Sequence, residues 1–120
     1  MTDILNIAIA LVTVAFGLFG FLAPRYTARM LDFTPTDSTM GLSELRASAG
    51  GLFVAVGLVC LITAAPGAYA MLGVAYVGAA CGRLISMIVD KPPQPKATLW
   101  FLFEAVPAAW LLYANPGPWA

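Results

Sequence analysis

The sequence predicts an all-α fold, a transmembrane antiparallel four-helix bundle built from a single domain spanning residues 1–120. Three observations predict it. Apolar residues make up 61% of the chain and charged residues 10%, with a mean hydropathy of +0.87, whereas soluble domains hold apolar content nearer ~45–50%. Four charge-poor apolar runs, at about 4–22, 44–65, 69–89 and 98–114, are each long enough to cross most or all of a hydrocarbon core at ~1.5 Å per residue. The intervals between them hold prolines and charges, which stop helices and belong in water.

The first run, Ile4 to Leu22, carries no charge. It reads as a retained helix rather than a secretory signal, because Thr2 and Asp3 stand where a signal has basic residues. Ala23-Pro24 ends it, and Arg25, Tyr26, Arg29, Met30, Leu31 and Phe33 form a short amphipathic stretch suited to the membrane interface. A loop over residues 34–39 leads to the second span, and the brief Ala65-Pro66-Gly67-Ala68 turn sends the third span back beside the second. The third span ends in Asp90-Lys91-Pro92-Pro93-Gln94-Pro95-Lys96, where three prolines forbid continuation. Trp100, Trp110, Tyr113 and Trp119 sit toward the two ends of the fourth span, as interfacial aromatics do.

Arg25 and Arg29 lie in the first connector and Lys91 and Lys96 in the third. Four spans put these connectors on one side, so the positive-inside rule places them in the cytoplasm of a bacterium, with both termini outside the inner membrane. Six basic against six acidic residues leave no net charge, which excludes nucleic acid as a partner. The partners expected are the lipid bilayer and a larger membrane complex. Histidine is absent, which removes the commonest imidazole ligand and the usual haem ligand, so neither metal nor cofactor is expected. Cys60 and Cys81 fall at depths of ~24 and ~13 Å from the cytoplasmic ends by helical rise, too far apart for a disulfide, and read as inert core residues.

The residues that could carry chemistry are the charges inside the spans. An arginine in the middle of a helix in lipid costs ~2.5 kcal/mol or more, so Arg83 must face the bundle and find a partner. Arg83 stands seven residues before Asp90, roughly 10 Å deep, and Glu104 stands eight after Lys96, roughly 12 Å deep from the same side. The depths match. Glu44 and Arg46 open the second span from that side, and Arg25 or Arg29 could answer Glu44. Ser48 and Ser86 add hydroxyls to the layer, and Gly50-Gly51 deepens the groove beside it. Ala47, Gly51 and Ala55 repeat every four positions, as do Gly78 and Gly82, which predicts small-residue seams between helices, with Gly17 and Gly20 serving the first span.

Glu44-Leu45-Arg46 with Gly50-Gly51, Gly82-Arg83 with Ser86 and Asp90, and Glu104 together resemble a bacterial family of small four-helix membrane proteins known only as a domain of unknown function. The likeness covers nearly the whole chain. A looser one, in size and hydropathy, is to DoxX-like proteins. The resemblance implies fold and topology but no activity, and it leads one to expect glycine after Asp90, where this chain has Lys91.

Two functional readings follow. In one, the chain is a non-catalytic accessory subunit and Glu44, Arg46, Arg83 and Glu104 form a structural ion network, supported by Ser48, Ser86, Asp90, Gly50 and Gly51. In the other, a small transporter or binder of a lipid- or quinone-like ligand uses that cluster at a cytoplasm-facing cavity. No nucleophile stands beside a base, so no catalytic residue is named for an enzyme.

Overall fold

The structure is a computed structural model that describes residues 2–34 and 36–115. Among the described residues six α-helices follow in order: α1 (Thr2–Leu22), α2 (Pro24–Met30), α3 (Met40–Arg46), α4 (Leu52–Thr63), α5 (Pro66–Val89) and α6 (Lys96–Ala114), with a π-helical turn, Ala47–Gly51, joining α3 to α4. No strand occurs among the described residues. Among the described residues, four helical stretches are long and apolar enough to cross a membrane: Asp3–Leu22, Met40–Thr63, Pro66–Val89 and Lys96–Ala114, with mean hydropathies of 2.3, 2.0, 1.7 and 1.4. A helix of this kind therefore covers each of the four expected apolar runs, with slightly different ends. The second starts earlier, at Met40, and the third starts at Pro66, whose fixed φ and missing N–H suit the first turn of a helix.

The chain divides into two compact units, one of residues Asp3–Thr63 and one of Ala64–Ala120. In the first unit, α1 buries a stripe of small and polar residues, Asn6, Ala10, Thr13, Gly17 and Gly20, spaced by three or four, while Ile4, Leu11, Phe19 and Leu22 face outward. This is the reverse of a soluble amphipathic helix and matches a helix whose outer solvent is lipid. Glycine is required along the seam. A Cβ on Gly17 would lie 2.8 Å from Val54 N, one on Gly50 would lie 2.6 Å from Phe21 N, and one on Gly57 would lie 2.5 Å from Val14 Cγ2. The contacts run in opposite order along α1 and the second span.

The π turn decides which residues meet α1. Leu42 and Leu45 are buried three apart, and the next buried position is Gly50, five further on, the step of a π repeat. Gly50 consequently reaches the backbone of α1, whereas Ala47 and Ala55 are exposed and Gly51 would bring a Cβ no closer than 3.5 Å to Arg46 O. The seam expected along Ala47, Gly51 and Ala55 is thus displaced by the extra residue of the π turn onto Gly50 and Gly57.

In the second unit, α5 and α6 pack together, with Gly73 against Leu111 and Leu112 at one end and Arg83 against Glu104 at the other. Gly78 and Gly82 do not form the expected seam: both are exposed, and a Cβ on either would meet nothing within 4 Å. Pro107 lies inside α6. Lys91 has φ 51°, in the left-handed region that glycine enters without the steric cost borne by other residues. The glycine that the family resemblance leads one to expect at this position therefore has a backbone reason.

Candidate functional site

Arg83 projects from the C-terminal half of α5, and Glu104 from α6. They meet as a fork: Arg83 Nε donates to Glu104 Oε1 at 3.0 Å and Nη2 donates to Oε2 at 2.9 Å. Two parallel bonds fix both planes and use both carboxylate oxygens, the geometry that makes arginine preferable to lysine here. The side chains keep 33% and 12% of their exposure, so the carboxylate is the more enclosed partner. Trp100 stands four residues before Glu104 on the same face of α6, and its ring lies 6.0 Å from Arg83 Cζ. Phe103 packs edge-on against Trp100 with centroids 5.9 Å apart. Arg83 thus has a carboxylate and an aromatic face as neighbours, and the aromatic was not singled out for this role from sequence, although its i, i+4 spacing to Glu104 was there to be read.

The remaining expected members are used locally. Ser86 Oγ donates to Asp90 Oδ2 at 2.8 Å, and the Ser86 carbonyl accepts from Asp90 N at 2.7 Å, so this pair finishes α5 and does not extend the arginine layer. Ser48 Oγ donates to the Glu44 carbonyl at 2.8 Å, inside its own helix. The Glu44 carboxylate is exposed and makes no ion pair with Arg25 or Arg29 among the described residues. Arg29 instead lies over the Tyr26 ring at 5.9 Å.

Arg46 does what the sequence did not foretell. Its Nη1 donates to the carbonyl of Phe21, in the last turn of α1, where backbone carbonyls have no intrahelical partner. A cation at a helix C-terminus is favoured both as a cap and by the macrodipole. The Gly20–Gly50 approach brings α1 close enough to the second span for this contact.

Both cysteines are free thiols, Cys60 buried and Cys81 exposed, so only Cys60 fits the expected core assignment. Among the described residues, no group of three or more acidic or cysteine side chains could hold a metal ion.

Four long apolar helices, two of them joined by a charge pair, are compatible with a multi-pass membrane protein. Residues 1–115 match the family described as "Domain of unknown function (DUF4345)", and the chain belongs to that family. Searches among curated proteins and among solved structures found no match.

Proposed function

We propose that this protein is a non-catalytic accessory subunit of a larger complex in the bacterial inner membrane, with its four spans closed into one antiparallel bundle and both termini outside the cytoplasm. The observation that carries the reading is the Arg83–Glu104 fork, whose carboxylate has both oxygens bonded to the guanidinium at 3.0 and 2.9 Å. A carboxylate so engaged is poorly placed to relay a proton, and a guanidinium so engaged is poorly placed to take an anionic substrate. It is well placed to fix the register of two helices. The outer faces supply the rest of the argument: Ile62, Ile85, Ile88, Val89, Leu99 and Val106 are all more than 60% exposed. Such faces must be covered by lipid or by another protein.

Gentle extraction from native membranes in a mild detergent, followed by native mass measurement, tests the reading. The expected species is a complex with a second polypeptide in fixed ratio. A protein that always runs as a lone chain, from membranes where it is expressed at its natural level, would overturn the accessory role.

A further inference from the structure

A groove of about 790 Å³ in the first unit lies where the end of α1, the start of α2 and α3 come together. Its polar lining is Arg25, Tyr26, Thr39, Ser43 and Arg46, and no carboxylate lines it among the described residues. The whole chain balances its charges, but the lining of this groove does not: among the described residues it holds two guanidiniums and no carboxylate. Arg46 spends one donor on Phe21 O and has four N–H groups left. Arg25 is exposed and makes no internal bond among the described residues. The hydroxyls of Tyr26, Thr39 and Ser43 likewise have no internal partner among the described residues. Arg29, stacked over Tyr26 at 5.9 Å, adds a third cation behind the rim.

The arrangement is preorganised. The cap on α1 fixes Arg46, and the π turn that follows it, Ala47–Gly51, seats its helix on α1 through Gly50. π turns recur beside functional sites. Guanidiniums with converging hydroxyls are the chemistry that binds phosphoryl oxygens, where planar N–H pairs match pairs of oxygens.

We propose that this groove binds an anionic phosphoryl group through Arg25 and Arg46, and that a phospholipid headgroup is its source. The lipid is favoured by position. The groove sits at the end of an apolar span, its remaining walls include Phe21, Leu22 and Leu42, and an acyl chain leaving it would run down the exposed face of α1 past Leu22, Leu18 and Leu11. This goes beyond an accessory role and does not depend on it.

The test uses the full chain in a neutral detergent, with native mass spectrometry and thermal unfolding as readouts. The probes are dioleoyl phosphatidylglycerol, dioleoyl phosphatidylcholine and sodium phosphate. Phosphatidylglycerol should stay bound and raise Tm, phosphatidylcholine much less so. Arg25→Gln, which breaks no internal bond, should weaken phosphatidylglycerol binding about tenfold, the loss of one charge-assisted contact. Lys91→Gln, which removes the same charge from the α5–α6 connector, should leave it unchanged. A Tm rise with sodium phosphate alone, lost in Arg25→Gln, would keep the phosphoryl site and assign it to a soluble ligand. Equal binding by wild type and Arg25→Gln for every probe, or an equal loss in Lys91→Gln, would overturn the proposal.

Discussion

An arginine in the interior of an apolar helix is tolerated only if its charge is answered. The cost of either charge alone in the span is ~2.5–3.5 kcal/mol, whereas hydrogen bonds between membrane helices average ~0.6 kcal/mol. Breaking the Arg83–Glu104 fork should therefore cost mainly through the charge left behind. Arg83→Gln and Glu104→Gln are each expected to destabilise the folded protein by about 2–3 kcal/mol. The double replacement Arg83→Met with Glu104→Leu should lose less than about 1 kcal/mol, since a closed ion pair is often no better than apolar packing of similar volume. Reversible unfolding in mixed micelles measures all three. Singles that match the double, with the fold intact, would show that the pair holds nothing together. This pairing was legible in the sequence because depth in a membrane is counted along a rigid helical rise. Arg46 was legible as a charge near a helix start, but not as a cap, because its acceptor is the backbone carbonyl of Phe21 and a carbonyl leaves no mark in the sequence. Trp100 was read as an interfacial anchor for a similar reason: indole serves both purposes, and only geometry separates them.

Helix seams obey the same logic one level up. Small residues four apart mark a face where backbones could approach, but the spacing does not say which face is used. Gly17 and Gly20, only three apart, are seam residues, while Gly78 and Gly82, four apart, face open space. In the second span the face itself moves, because the π turn inserts one residue between Leu45 and Gly50 and rotates everything beyond it. Nothing in Ala47-Ser48-Ala49-Gly50-Gly51 announces that turn beyond its glycines. Alanine scanning distinguishes the two classes of glycine. A Cβ on Gly20 would collide with the Ala49 carbonyl, and one on Gly50 with the backbone of Phe21. Backbone atoms cannot step aside as a side-chain end can, so Gly20→Ala and Gly50→Ala should each cost about 2 kcal/mol or more, in the upper range for overpacking. Gly78→Ala and Gly82→Ala should be neutral or gain up to about 1 kcal/mol from helix propensity. The same unfolding assay ranks the four. A large loss at Gly78 or Gly82 would mean that this face of α5 is covered in the folded protein in micelles.

At the scale of the whole molecule, the existence and order of the spans were readable because hydropathy over some twenty residues averages out every local ambiguity, and the ends were not, because Met40 and Pro66 extend helices into polar or proline-containing sequence. Orientation rests on a different physical signal, the placement of Arg25 and Arg29 before the second span and of Lys91 and Lys96 before the fourth. Basic residues flanking spans resist translocation, so both connectors should lie in the cytoplasm. Single cysteines test this directly. In a background with Cys60 and Cys81 replaced by alanine, Asp37→Cys and Gln94→Cys place one thiol in each of these two connectors, both at exposed positions. A membrane-impermeant maleimide should leave both unlabelled in intact spheroplasts and label both in inverted vesicles, while a cysteine at Ala64, in the exposed turn between α4 and α5, should give the reverse pattern. Labelling of position 37 and position 94 from opposite sides would require an odd number of crossings between them, and the four-span topology would fall. Labelling of both from outside would keep the four spans and invert them, placing the Arg25–Arg46 groove in the outer leaflet and moving the search for its anionic lipid to that side.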